Sequence, residues 1–388
     1  MLADQTIDKY TPEECIAGLV DAVKQSPERR NELVRLLPER ISLYDGRSVN
    51  ATVRMRGYIL AGFEQTGLPD AALPYVLEEL ENGRDAYLTA GAARALRGLD
   101  TPTSQVVRYL LKAVENIRYV DDAVTFDHYK PRWPLANYTT ALTEIFRTFG
   151  WLGARAESVL PELETLRVEG REEFSRPIRA EIENAIDRIR SDENVAHDCC
   201  SAVPASLMVH NLQAKPSKGV SISDLELEDQ EGNNLAFETF FGCKPSVVAF
   251  FYTKCGNPNK CSLTVTKLAR LQKAIVEEQL GGLLRTAAIT YDPQYDLPRR
   301  LKAYGENRGV TFSDDNRMFR APSRFRELQE HFQLGVNFTG ATVNRHRIEL
   351  FVLDRRGETV ATFTRLQWDV QEVLEQARAL LGPLQSVG

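Results

Sequence analysis

The sequence predicts two folded parts, an all-α repeat domain followed by an α/β domain, and three observations carry that division. From about Thr11 to Arg190 the apolar residues recur at helical spacing, with Pro or a polar cap opening many segments. From about Val220 onward, short β-branched and aromatic runs alternate with helical stretches, which is the pattern of strands joined by crossovers. Between them, residues 191–219 lose periodicity and gather Pro204, Pro216 and scattered polar side chains, as an inter-domain connection does. The expected boundaries are therefore residues 1–190, 191–219 and 220–388. A chain of 388 residues is long enough for each part to bury its own core.

Composition excludes several function classes. A hydrophobic content of 43% with 26% charged residues is ordinary for a soluble globular protein. The net charge of −6 gives no electrostatic reason to expect nucleic acid as a partner. No run approaches the ~18 apolar residues of a membrane span. The opening MLADQTIDKYTPEECIAGLV has early acids and no basic start before an apolar core, so it does not read as a secretory signal. The expected location is the cytoplasm, where thiols stay reduced. The six cysteines (Cys15, Cys199, Cys200, Cys243, Cys255, Cys261) thus read as metal ligands, catalytic thiols or core fillers rather than structural disulfides.

In the N-terminal half, Thr11-Pro12-Glu13-Glu14, Ser26-Pro27, Leu68-Pro69-Asp70 and Thr101-Pro102 are helix-start signals, because a first-turn Pro has no hydrogen bond to lose. Two stretches look alike. Ala72 to Leu80, with Pro74, precedes a helix at Ala86–Leu96; Ser158 to Leu166, with Pro161, precedes one at Ser175–Ile189. Val106–Ile117 and Tyr138–Phe149 supply another pair between them. Paired amphipathic helices at a loose period of about 40 residues resemble HEAT-type repeats. Such pairs bury their apolar faces only by stacking, and the curved surface that results usually grips a protein or peptide partner. Tyr119 to Pro134 interrupts the repeat with Asp121, Asp122, Asp127, His128, Tyr129 and Trp133. No ligand spacing is evident there, so the insert reads as an edge loop or a contact loop. Phe149 and Trp151 read as helical core.

The α/β half opens on a short hairpin around Val220–Leu227 and Gly232, and Cys243 follows in a loop where it reads as incidental. Val247–Tyr252 is a continuous apolar run, the mark of a buried central strand. A polar loop, Cys255-Gly-Asn-Pro-Asn-Lys-Cys261, follows; then Leu263, Val265, Leu268, Leu271 and Ile275 mark one face of a helix. Two cysteines thus sit where a strand hands over to a helix N-terminus, and the dipole there favours thiolate over thiol. Further strands are expected at Leu284–Thr290, Ile348–Leu353 and Thr359–Thr364, and further helices at Leu297–Asn307, Ser323–Phe332 and Val370–Leu381. Asp292 falls at a strand C-terminus, where α/β sheets collect ligands, and reads either as orienting a ligand or as capping the next turn. His331 reads as surface, and His346 is expected at the start of a sheet edge facing the cysteine loop.

This half, from about Ser221 to Leu381, resembles the Sco/SenC branch of the thioredoxin-like proteins. The matching residues are Tyr252-Thr253-Lys254-Cys255, Cys261-Ser262-Leu263-Thr264, and His346 ahead of Ile348–Leu353. The resemblance implies a thioredoxin-like fold in which Cys255, Cys261 and His346 bind copper, and in which the same thiols can do disulfide chemistry. Two thiolates and an imidazole suit copper, with zinc as the other candidate. The family has three residues between its cysteines and this chain has five. No proline occurs from Thr342 to Arg347, where ordinary thioredoxins carry a cis-proline against the dithiol; this leaves room for His346. Four readings follow: a copper-binding domain; a metal-free thiol–disulfide oxidoreductase or peroxidase using Cys255 and Cys261 as catalytic thiols; a metal site acting on a partner gripped by the helices; or a scaffold without chemistry. His197-Asp198-Cys199-Cys200 adds possible ligands or a resolving thiol from the linker, with a surface role weighed equally.

Overall fold

The computed structural model describes residues 7–131, 134–135, 137–192 and 221–382. The chain divides into two compact units, Met1–Met208 and Val209–Gly388.

The first unit is helical. Among its described helices are α1 (Glu13–Lys24), α2 (Asn31–Val34), α3 (Val49–Thr66), α4 (Leu73–Asn82), α5 (Ala86–Leu96), α6 (Val107–Ile117), α7 (Ala141–Leu152), α8 (Leu160–Glu169) and α9 (Arg176–Ser191). Helices α4/α5, α6/α7 and α8/α9 pack as pairs, and α3, α5, α7 and α9 pack in succession. Glycine permits one close approach of helices: a Cβ on Gly91 of α5 would stand 2.7 Å from the Gly57 carbonyl of α3. Such contact lets the helix backbones meet and is closed to any larger residue. Pro74 and Pro161 do occupy first turns. The prolines at 69 and 102 lie further from helices than expected, since α4 begins at Leu73 and α6 follows a short 3-10 turn at Ser104–Val106.

The insert between α6 and α7 is packed against this unit rather than held out from it. Val124 bridges Thr139, Phe126 stacks on Tyr87 and Tyr129 meets Tyr58 edge-on. Tyr129 also donates to Glu13. Phe149 is fully buried, but Trp151 is only half-buried and faces a polar cleft with Arg147 and Arg188, which corrects its expected core placement.

The second unit is a three-layer α/β/α domain. Its strands are β1 (Glu226–Asp229), β2 (Asn234–Ala236), β3 (Ser246–Phe251), β4 (Arg285–Thr290), β5 (Asn316–Arg320), β6 (Val336–Thr339), β7 (Thr342–His346), β8 (Glu349–Leu353) and β9 (Thr359–Thr364). The main sheet runs β2-β1-β5-β4-β3-β8-β9, and β6 and β7 form a separate two-stranded hairpin. β3, β4 and β5 are parallel neighbours, whereas β8 and β1 join antiparallel on the two sides. The β8–β9 turn is closed by Asp354, whose carboxylate accepts from the N–H groups of Arg356 and Glu358, with Gly357 at φ +77°.

Every residue of β3 is buried, as the apolar run requires, because both sheet faces are covered. Val247, Ala249 and Phe251 pack on one face with helices α11 (Leu263–Glu277) and α14 (Val370–Ala379) and with Trp368. Val248 and Phe250 point the other way, into an aromatic layer that includes Phe240, Phe241, Phe319, Phe332 and Phe351. (Numbering in this unit continues with α10, Phe237–Phe241; α12, Pro298–Glu306; and α13, Phe325–His331.) His331 is half-buried against Phe332 rather than on the surface. None of the described helices is long and apolar enough to cross a membrane.

Candidate metal centre

The site is assembled from three chain segments. β3 ends at Phe251, and Tyr252 to Lys254 carry the chain beyond the carboxyl edge of the sheet. Asp296, fully buried, fastens this exit: it accepts from the Thr253 backbone N–H at 3.0 Å and from the hydroxyls of Thr253 and Thr290. The loop then re-enters through a wide π-type turn at Pro258–Ser262, capped by the Asn257 side chain accepting from Asn259 N–H at 2.9 Å. Cys261 lies inside this turn, directly ahead of α11, and is 2% exposed. Cys255 is half-buried on the loop above it.

His346 is the last residue of β7. It arrives on the short β6–β7 hairpin, not on an edge of the main sheet as expected. The hairpin places its ring beside Tyr252, edge-on at 5.2 Å between centroids, and tilted over Tyr291 at 5.5 Å. His346 Nε2 stands 3.4 Å from Cys255 Sγ and 3.6 Å from Cys261 Sγ. The ring's other nitrogen, Nδ1, lies 3.0 Å from the Arg347 carbonyl oxygen. A carbonyl only accepts, so Nδ1 carries a hydrogen, and Nε2 is the ring nitrogen that faces the two sulfurs.

All three potential ligand atoms fall within 4.8 Å of one another. Among the described residues this is the group of three or more His, Cys, Asp or Glu side chains close enough to share one ion. The soft donor set and its spacing fit a tetrahedral or trigonal ion preferring sulfur and imidazole. The two sulfurs are inequivalent. A hydrogen bond from Cys261, then the neighbouring His346, outweigh burial and pull the Cys255 thiol down to about 3. Burial, reinforced by the Cys255 charge, pushes the Cys261 thiol up.

Asp292 is brought near but not into this group. Its carboxylate pairs with Lys254 at 2.8 Å, so it braces the residue preceding Cys255 rather than facing a sulfur. Cys15 and Cys243 lie elsewhere as free thiols. His197, Cys199 and Cys200 lie outside the described residues, as do Trp133 and most of the 191–219 segment.

Two supporting residues escaped sequence reasoning. Glu349 is fully buried in β8 and accepts from the Tyr291 hydroxyl, from Arg347 Nε at 2.7 Å and from Gly335 N–H at 2.9 Å. It thereby fixes the strand start behind His346 and the phenol beneath the ring. Lys260, only 9% exposed, donates from Nζ to the His346 carbonyl at 3.0 Å. No spacing rule flags any of them, although a Glu opening an otherwise apolar strand and a Lys beside a helix-start cysteine are local anomalies.

The SCO1/SenC family model matches residues 214–382. A SCO1/SenC family lipoprotein from Bacillus anthracis is similar at 20% identity, over 44% of this chain and 99% of that one, with a TM-score of 0.37. ScoI of Arabidopsis thaliana, solved with copper bound, is 17% identical over 41% of this chain and 97% of its own, at a TM-score of 0.34. Yeast Sco1 is 22% identical over 40% and 96%, at 0.32. No curated protein matches the chain. Residues 214–382, which match the SCO1/SenC family model, contain the α/β unit and follow a helical N-terminal half.

Proposed function

We propose that the C-terminal domain binds copper through Cys255 Sγ, Cys261 Sγ and His346 Nε2. The single observation that carries this reading is the convergence of those three atoms within 4.8 Å, with Nδ1 bonded to the Arg347 carbonyl and Nε2 turned toward the sulfurs. Copper bound there supplies one-electron redox chemistry and a carrier role. The chain's own residues supply the rest. The Arg347 carbonyl orients the ring, Asp296 and the π-type turn hold the sulfurs, and Tyr252 and Tyr291 wall the imidazole from water. Asp292 acts through Lys254, as an outer brace of the Cys255 loop. The helical unit is read as the part that holds a protein or peptide partner. Elemental analysis of protein purified without oxidants or chelators tests the centre. The unsubstituted chain retains copper near one equivalent and Cys255→Ser/Cys261→Ser retains none; copper that survives the double change, or zinc in its place, overturns the assignment.

A second reading has its own support in the unequal thiols. In it Cys255, a partly exposed thiol pulled down in pKa, attacks and the buried Cys261 resolves, in a metal-free oxidoreductase. Turnover of a disulfide or peroxide by the metal-free protein favours it over the copper reading.

A further inference from the structure

One flank of the cysteine loop is lined by α12 and the turn that leads into it, and that flank is cationic and aromatic. Arg300 and Tyr304 stand one helical turn apart on α12, and Arg308 follows at the same interval just past its end. Tyr304 stacks on Phe251, the last residue of β3, at 5.4 Å between centroids. It packs with Cys255 on the cluster that holds Cys261. The Arg308 guanidinium sits over the Tyr304 ring, 3.4 Å from its centroid, and donates from Nε to the Ser262 hydroxyl at 3.0 Å, one residue beyond Cys261. At the other end of the flank, the Tyr295 ring carries two cations, Lys254 Nζ at 3.9 Å and the Arg300 guanidinium at 3.8 Å from its centroid. Lys254 directly precedes Cys255, so this stack reaches the lip of the loop. Tyr295 and Leu297 are both exposed there.

The neighbouring carboxylates do not cancel this flank. Asp292 is taken by Lys254 at 2.8 Å, and Lys302 of α12 pairs with Glu231. Asp296 is fully buried and accepts from Thr253 and Thr290. Among the described residues no carboxylate lies within ion-pair distance of Arg300 or Arg308. Their partners are aromatic faces, a hydroxyl and, for Arg308, the Tyr304 carbonyl at 3.1 Å. A ring face attracts a cation without neutralising it, so both charges remain on offer to a ligand. On a chain of net charge −6 this flank is a local exception, set beside its most reactive thiol. Exposed tyrosine and arginine are the residues that protein contacts favour, and a guanidinium fork matches a carboxylate.

We propose that this flank is the docking edge for an acidic protein segment, whose carboxylates meet Arg300 and Arg308 while its own sulfur or metal-binding group meets Cys255. This rests on Cys255 as the atom through which the site meets a partner, which both readings above share, and adds the chemical class of that partner. Two synthetic peptides test it, each with one cysteine activated as a thiopyridyl disulfide, flanked in one by glutamates and in the other by lysines. In reduced, metal-free, full-length protein the Cys255 thiolate attacks the peptide cysteine sulfur; the old S–S bond breaks, and thiopyridone leaves with its electron pair and takes up a proton. Loss of free Cys255, read by maleimide trapping and peptide mass spectrometry, gives each rate. Each is divided by the rate with uncharged 2,2′-dithiodipyridine, which senses the thiol alone. At low ionic strength the glutamate peptide consumes Cys255 about tenfold faster than the lysine peptide, and the ratio falls toward one in about 0.5 M salt. Arg300→Glu and Arg308→Gln each lower the low-salt ratio several-fold. A ratio of one or below in the unsubstituted chain, or one that either variant leaves unchanged, overturns the proposal while leaving the reactive thiol standing. Failure of Cys255 to react even with the uncharged reagent overturns the shared reading as well.

Discussion

Tyr291 donates its hydroxyl hydrogen to Glu349 across 58 residues of sequence, and this buried bond lies directly behind the His346 ring. Glu349 is the meeting point of Tyr291, Arg347 and the Gly335 N–H, so removing its carboxylate strands three donors in the interior. Glu349→Ala is expected to destabilise the C-terminal unit by about 3–5 kcal/mol, the usual cost of breaking a buried charged pair. Tyr291→Phe is expected to cost about 1–2 kcal/mol. Urea denaturation followed by hydrogen exchange in residues 221–382 measures both. A loss for Glu349→Ala no larger than that of Tyr291→Phe would show that Arg347 does not depend on this carboxylate.

The unequal thiols predict selective alkylation. Because the Cys255 thiol is pulled down to about 3, its thiolate persists at pH 5, where ordinary free cysteine at ~8.5 is almost wholly protonated. In reduced, metal-free protein at pH 5, iodoacetamide should label Cys255 about tenfold or more faster than the exposed Cys243, with Cys261 unlabelled. His346→Ala removes one of the two partners named above and should slow Cys255 labelling at that pH. Peptide mass spectrometry reads each site; equal labelling of Cys243 and Cys255 contradicts the thiolate assignment.

The parts of this molecule that sequence reasoning reached are those written in local pattern. β3 was visible because six consecutive buried residues leave an unbroken apolar run, and α11 because its apolar residues repeat at helical spacing. The meeting of Cys255, Cys261 and His346 was visible through family resemblance, since nothing local joins residues 91 positions apart. β5 escaped because Arg317 and Arg320 make it look polar, yet each is matched by a carboxylate on the neighbouring edge, Asp229 and Glu228. The β6–β7 hairpin escaped for a related reason. Its strands are short and mixed in burial, and it pairs with itself rather than extending the sheet. Lys260 and Glu349 read as surface charges until the partners that justify their burial are known. Polar residues whose reason lies across the fold are the ones a linear reading loses.

Asp229 predicts a pH signature for the edge of the sheet. Burial alone would raise its carboxyl, but the backbone and side-chain N–H groups of Asn233, the Glu231 N–H and Arg317 together hold it below the usual range. A depressed folded value means the stabilisation is complete above the unfolded value of about 3.9 and is lost as pH falls through the lower folded one. Asp229→Asn should therefore cost a constant amount from pH 5 to 8, about 1–3 kcal/mol. The gap to the unsubstituted protein should narrow below about pH 4. Urea midpoints of both proteins across that range test it, and a gap that widens in acid reverses the sign.

In the helical unit the corresponding buried charge is Arg56 of α3, with no exposed surface. Its guanidinium donates to the Leu37 carbonyl and to Glu39 at 3.2 Å, and it lies 3.9 Å from Glu79 of α4. Glu39 is 1% exposed, so Arg56→Met leaves a desolvated carboxylate and a carbonyl without their cation. The expected loss is about 3–5 kcal/mol, seen as lost exchange protection in residues 7–192 while residues 221–382 keep theirs. Adding Glu39→Met to Arg56→Met should recover part of that loss, because most of the single change's cost is the stranded charge rather than the pair's own attraction. If the double variant is less stable than Arg56→Met by the full cost of a second core change, the ion pair contributes through packing and the electrostatic account fails. Recovery confined to the helical unit would place Arg56 as the cation that lets α3 carry charge through the centre of its stack.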